Sequence, residues 1–373
     1  MEKAAFKVLI VEDTVVYQKI LKEVLAEVPD VKVIGTAENG KIAVGMVKKY
    51  KPDIVTLDVE MPVMDGISAL RQLKEENILP CVIMVSSLTK EGARVTLDAL
   101  DLGAFDFITK PDQSDQEQNV EILKRKLGFL IKAYISKKRI SSILKKGKLA
   151  KPDTNKKQAA MEAKAPPFPA VLHATESHVD AVVMGASTGG PNALANLIPR
   201  FPADFPIPIL IIQHMPALFT SALADSLDAR SRIKVQEGED GLIIEGGNVY
   251  IAPGGKQMKV VLDYASYKYI IQITDDPPEN FCKPSVDYLF RSVSKVYKSH
   301  AIGIILTGMG NDGTLGLRLM KRYDCTVYAQ NDETSVVFSM PHSAIKAGVV
   351  NKVLPIERIA EVIIAEVNRR NSL

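Results

Sequence analysis

The chain has 373 residues, 46% of them hydrophobic and 24% charged, with a formal net charge of +3. That length suits about two domains of ordinary size, each able to bury a core. The small net charge supplies no whole-molecule attraction for nucleic acid. No apolar run approaches the ~18 residues of a membrane span, and acidic Glu12 and Asp13 interrupt the first apolar run as no secretory signal would.

Residues 1 to about 133 alternate apolar runs with amphipathic helical patterns. The runs are KVLIV (7–11), VKVIGT (31–36), DIVTLD (53–58), VIMVS (82–86) and FDFITK (105–110). Between the first two, Val16, Ile20, Leu21, Val24, Leu25 and Val28 recur on one helical face. Strand–helix units in series, with strands apolar throughout, predict a parallel sheet covered on both faces. Residues 134–178 are rich in lysine, alanine and proline, which reads as a flexible linker. Its basic cluster carries no helix-turn-helix or aromatic pattern, so a solvated tether is favoured over a nucleic-acid contact.

Residues 179–373 resume the alternation. Strands are expected at 181–185, 208–213, 232–237, 248–253, 301–307 and 326–331, with a hairpin turning near Ala265. A helix is expected over 284–299, opened by Pro284 in its first turn. The expected fold class is α/β: two doubly wound parallel-sheet domains, a flavodoxin-like one and a Rossmann-like one with a β-hairpin excursion. Cys81, Cys282 and Cys325 are far apart and form no C-x-x-C pair. That argues against a disulfide framework or a structural zinc site and fits a reducing cytoplasm.

In open α/β sheets, sites form beyond the carboxyl ends of the strands. In the first domain those ends carry Glu12 and Asp13, then Asp58, then Ser86 and Ser87, then Lys110. If strands 1, 3, 4 and 5 are neighbours, three carboxylates, a hydroxyl and an ammonium converge. Like charges so placed would hold their protons unless a cation neutralised them. Oxygen ligands suit Mg²⁺, and a carboxylate beside the ion can accept a phosphoryl group.

The succession VED…LDVEMPVMDG…VSS…ITKP resembles the response-regulator receiver domain over about 125 residues. The resemblance implies Asp58 as phospho-acceptor and Glu12 and Asp13 as metal-site acids. It also implies Ser86 as the switch hydroxyl, Phe107 as the aromatic switch position, Lys110 as the phosphate-binding lysine and a cis bond between Lys110 and Pro111. The acidic pair is Glu-Asp rather than the commoner Asp-Asp, and the switch hydroxyl is serine where threonine is frequent.

In the second domain, GASTG (185–189) fits G-x-S-x-G, a turn that lifts a serine clear of a sheet. A phosphate loop and a purely structural turn compete with that reading, although G-x-x-x-x-G-K-[ST] and G-x-G-x-x-G are both absent. A nucleophilic Ser187 needs a base. Of five histidines, His214 directly follows a strand at the same sheet edge, His342 is second choice in a loop, and His300 lies at the opposite edge. Asp312, in the glycine-dense turn LTGMGNDG, suits the acid that orients the base, and equally an N-cap.

The stretches GASTGGPNAL, QHMP, YIAPGG, LTGMGNDG and AQNDETSVVFSMP resemble the catalytic domain of the chemotaxis protein-glutamate methylesterases, over about 190 residues. The order receiver, linker, esterase matches the whole chain. The resemblance implies Ser187 as nucleophile, His214 as general base and Asp312 as its orienting acid. Thr188 and the backbone N–H of Met309 follow as oxyanion or positioning groups. It implies a phosphorylation-regulated cytoplasmic hydrolase. Its substrates would be methylated glutamates, and also glutamines, of methyl-accepting chemotaxis receptors, and its phosphodonor a chemotaxis histidine kinase. Mg²⁺ is expected at the receiver only, with no cofactor for hydrolysis, no nucleic-acid partner and no membrane insertion. The unphosphorylated receiver is expected to restrict access to Ser187. The rival readings are a non-catalytic response regulator with a protein-binding output domain and a nucleic-acid-binding regulator.

Overall fold

A computed structural model describes residues 5–110, 116–147 and 178–372. By internal contacts the chain separates into two units, residues 1–135 with 215–229 and residues 136–214 with 230–373.

The apolar runs of the first half become β1 (Phe6–Val11), β2 (Val31–Ala37), β3 (Ile54–Asp58), β4 (Cys81–Ser86) and β5 (Asp106–Thr109). They pair in parallel in the order β2-β1-β3-β4-β5. This is the flavodoxin-like order, with a switch point between β1 and β3. Helices α1 (Val15–Ala26), α2 (Gly40–Tyr50), α3 (Gly66–Glu75), α4 (Lys90–Leu102) and α5 (Gln116–Gly147) connect and follow the strands. The starts of α2, α3 and α4 are capped by Asn39, Asp65 and Thr89, each accepting from a backbone N–H three residues on. Leu21, Val24 and Leu25 of α1 and Leu123, Leu127 and Ile131 of α5 pack with Val8, Ile10, Ile54 and Ile83 into one core. Each such side chain contributes roughly 1.5–3 kcal/mol of burial.

Helix α5 runs on past residue 133, where the sequence reading began the linker. The apolar face continues through Leu130, Ile131 and Ile135, all buried, so packing prolongs the helix into the lysine-rich stretch. Residues 148–177 of that stretch lie outside the described residues.

The second sheet contains β6 (Ala181–Ala186), β7 (Ile209–Gln213), β8 (Lys234–Glu237), β9 (Asn248–Ile251), β12 (Ala301–Ile305), β13 (Thr326–Gln330) and β14 (Lys352–Leu354). Its order is β14-β13-β12-β6-β7-β9-β8, and every pair is parallel. A separate antiparallel hairpin joins β10 (Gln257–Asp263) to β11 (Lys268–Thr274). The helices are α6 (Gly190–Leu197), α7 (Ala217–Arg230), α8 (Val286–Tyr297), α9 (Thr314–Arg322), α10 (Ser339–Lys346) and α11 (Ile356–Asn371). Strand β14 went unread because its three residues are exposed or half-buried and show no apolar run.

Two local expectations change. Helix α8 begins at Val286 with Ser285 as its cap, so Pro284 precedes the helix rather than opening its first turn. Ser285 Oγ accepts from the Tyr288 N–H, a role proline cannot fill. His342 lies within α10, not in a loop. Among the described residues, no helix is long and apolar enough to cross a membrane.

Candidate functional site

The order β2-β1-β3-β4-β5 makes β1, β3, β4 and β5 consecutive neighbours, so their carboxyl ends meet. Lys110 Nζ lies 2.7 Å from Asp58 Oδ2 and 2.9 Å from Glu12 Oε2. Glu12 and Asp58 are buried and Asp13 is exposed. One carboxylate oxygen from each of the three lies within 4.8 Å of the others. Burial pushes the Asp58 carboxyl up to about 6; the Lys110 ammonium opposes the shift and the Glu12 charge adds to it. Three oxygen donors with more negative charge than one lysine offsets fit a hard divalent cation. The Ser86 hydroxyl donates to the carbonyls of Gly92, in the first turn of α4, at 3.2 Å and of Ser87 at 3.3 Å. Phe107 is half-buried on β5. The Lys110–Pro111 bond lies outside the described residues.

In the second sheet, β6 lies between β12 and β7, and the chain direction of the crossovers reverses there. Such a switch point opens a crevice at the strand ends. Ser187 directly follows β6 and His214 directly follows β7. The register Ala186↔Gln213 makes the two neighbours, and the His214 N–H donates to the Ala186 carbonyl at 3.1 Å. On the other side the Ser187 N–H donates to the carbonyl of Thr307, beyond β12, at 3.0 Å. Gly308 is needed here, since a Cβ on it would stand 2.8 Å from Ser187 Cβ. Gly189, in the turn after Ser187, has φ +72°, a conformation glycine adopts without cost.

His214 Nε2 is 2.9 Å from Asp312 Oδ2, and Nδ1 is 3.6 Å from Cys282 Sγ. Among the described residues no hydrogen bond joins the Ser187 hydroxyl to His214. Burial works against a charged His214, but Asp312 and then Cys282 outweigh it and hold the imidazole up at about 9. Burial would likewise raise Asp312. Its hydrogen bond and ion pair with His214, with backbone N–H donors, bring it down to about 2.

Asp312 lies beside His214, but the cap expected at the start of its own helix is not formed. Helix α9 is preceded by Gly313, with no side-chain cap. The Asp312 carboxylate instead accepts from Val286 N at 2.7 Å, Asp287 N at 3.1 Å and Ser285 Oγ at 2.9 Å, capping α8 from across the fold. Asn280 Nδ2 adds a bond at 3.1 Å. Behind it, Asp287 accepts from Gly316 N at 2.6 Å and from Asn280 Nδ2 at 2.9 Å. Burial raises its carboxyl to about 6, and the neighbouring Asp312 charge adds to the rise.

Among the other residues singled out, the Thr188 carbonyl accepts from Thr307 Oγ1 at 2.9 Å, and Met309 is partly exposed on the turn carrying Asp312. His342 faces Phe338, with ring centroids 6.0 Å apart. His300 lies at the amino end of β12, 3.3 Å from Asp180. Sequence reasoning missed Gln213, Asn280, Cys282 and Ser285. Buried Gln213 donates through Nε2 to the carbonyls of Ser187 at 2.9 Å and His214 at 3.4 Å. Ser285 alone had a local signal, a serine just before a helical pattern.

A family model described as CheB methylesterase matches residues 182–363, and one described as the response regulator receiver domain matches residues 8–121. A protein-glutamate methylesterase/protein-glutamine glutaminase of Desulfotalea psychrophila is 43% identical over 362 residues, which cover 96% of this chain and 97% of that protein. The protein of the same name from Bacillus subtilis is 39% identical over 95% of this chain and 96% of its own. The crystal structure of the Thermotoga maritima CheB methylesterase catalytic domain is 42% identical, covering 50% of this chain and 98% of that one, with a TM-score of 0.49. Matched nearly end to end by such relatives, the chain belongs to the CheB methylesterase family, in the form that carries a response-regulator receiver domain.

Proposed function

We propose that the chain hydrolyses methyl esters on glutamate side chains of chemotaxis receptors, under control of phosphorylation at Asp58. The observation that carries the catalytic reading is the His214–Asp312 pair, 2.9 Å apart, beside Ser187 at the sheet's switch point. Ser187 Oγ attacks the γ-carbonyl while His214 takes its proton. Asp312 holds Nε2, so Nδ1 is the nitrogen that receives the proton, and the Asp312 charge stabilises the imidazolium formed. The Met309 backbone N–H and Thr188 are assigned to the developing oxyanion. The tetrahedral centre collapses and methanol leaves with the proton from His214. Water, deprotonated by His214, then cleaves the acyl-enzyme and restores Ser187. A glutamine amide follows the same course with ammonia as leaving group, as the names of the relatives lead one to expect.

At the other site, Asp58 accepts the phosphoryl group from a chemotaxis histidine kinase. Glu12, Asp13 and Asp58 would hold Mg²⁺, which when bound neutralises charge on the transferring oxygens. Lys110, now between Asp58 and Glu12, binds the new phosphate, and Ser86 exchanges its backbone carbonyl partners for it. Phe107 on β5 follows as the aromatic switch. These reactions place the protein in the cytoplasm, where receptor signalling segments and kinase meet.

The test is methanol release from methylated receptor membranes by the purified protein. Ser187→Ala should abolish it while leaving the circular dichroism spectrum unchanged. Turnover by that variant close to the wild-type rate would overturn the reading.

A further inference from the structure

The loop before α8 contains an unexplained residue. Glu279 and Cys282 close a tight turn through two backbone hydrogen bonds, Cys282 N to Glu279 O at 2.8 Å and Glu279 N to Cys282 O at 3.1 Å. Between them, Asn280 has φ 51° and Phe281 φ 62°. Two successive left-handed residues make a turn of type I′, whose favoured pair is Asn-Gly. Asparagine tolerates that region; a phenylalanine is strained there. The strain is not offset by packing, because Phe281 is 95% exposed. Neither local conformation nor burial favours a strained, solvated aromatic here, and such outliers collect at functional sites.

The place of the turn gives the ring its use. Asn280 on one side donates to Asp312, and Cys282 on the other touches His214 Nδ1. Glu279 is tied to Arg291 of α8 by an ion pair. Both neighbours of Phe281 are therefore anchored in the His214–Asp312 cluster while its ring stands in solvent. Two more apolar side chains are exposed on the segment carrying Asp312, Met309 at 40% and Leu315 at 57%.

We propose that Phe281 forms an apolar lip that binds side chains flanking the reacting glutamate on the folded protein substrate. This rests on the methylesterase reading above, and it names what separates a protein substrate from a free ester. A small glutamate methyl ester carries the reacting group but no flanking residues, so the lip acts on the protein substrate.

The experiment compares the full-length wild type with Phe281→Gly, Phe281→Ala and Phe281→Tyr. Substrates are methylated receptor and N-acetylglutamate γ-methyl ester. Burying most of one aromatic ring corresponds to roughly a tenfold change in affinity. The glycine and alanine variants should raise KM for receptor about tenfold with kcat nearly constant. Their selectivity for receptor over the small ester should fall by a similar factor. Tyrosine, which keeps the ring, should stay within about twofold of wild type. Glycine should also raise the melting temperature, by about 2–4 °C, as the turn gains its preferred residue. An unchanged selectivity ratio in a wild type that hydrolyses both substrates overturns the lip alone. Failure of the wild type on both substrates overturns the lip and the methylesterase reading together. A change in oligomeric state with unchanged KM would mean the ring meets a second copy, and also overturns it.

Discussion

Asp312 serves two structures with one carboxylate, and the consequences are measurable. It pairs with His214 and accepts from the first N–H groups of α8. Asp312→Ala should therefore lose both hydrolysis and stability, by about 3 kcal/mol, since it strands buried donors as well as an imidazole. A denaturant midpoint equal to wild type would refute the capping half of that claim. The assignment of the base is tested by contrast: His214→Ala should cost several orders of magnitude in kcat, as Ser187→Ala does, and His342→Ala little. The pH profile follows from the sign of the shift. Asp312 and Cys282 hold the His214 proton more tightly than usual, up to about 9, so the basic form grows as pH rises. The acid limb of kcat/KM should thus lie well above the ordinary histidine range of about 6.5. Cys282→Ala removes one of the groups retaining that proton, and the limb should move to lower pH. A limb that stays or moves upward would contradict this.

At the scale of elements, β6 and β7 deliver Ser187 and His214 to one place, and Gln213 ties their ends. Its Nε2 serves the carbonyls of both residues from a buried position. Gln213→Leu keeps the volume but removes the donor. It should cost about 1–3 kcal/mol of stability and lower kcat more than it raises KM, because the loss falls on alignment and not on substrate contact. An unchanged kcat would show that the strand ends need no tie. The strands themselves were legible because parallel strands buried on both faces read as unbroken apolar runs. The helix-capping partnership between the Asp312 turn and α8 was not. Ser285 marks the helix start locally, but the second cap comes from Asp312, which the chain reaches only after all of α8 and β12.

For the molecule as a whole, the measurable question is how the receiver acts on the esterase. We expect residues 179–373 alone to hydrolyse ester without a phosphodonor, and the full chain to be stimulated by one. Asp58→Asn should abolish the stimulation while leaving the unphosphorylated rate in place, and chelation of Mg²⁺ should do the same. If the isolated domain is no faster than the unphosphorylated chain, restriction by the receiver fails and an activating role must replace it.

The linear order of residues was enough to place Glu12, Asp13, Asp58, Lys110, Ser187 and His214 at strand ends, and Asp312 in a turn that follows one. A buried strand announces its own length, and the residue that follows it must emerge at the sheet edge. Which strand ends are neighbours was decided only by pairing. The order β12-β6-β7 sets Ser187 between the segments bearing Asp312 and His214, and β2-β1-β3-β4-β5 gathers the receiver carboxylates around Lys110. Cys282, Asn280 and Phe281 acquire meaning only in that fold. Their turn is short and irregular, with no periodicity to read. Its contacts with His214 and Asp312 join residues distant in sequence, which local chemistry cannot specify.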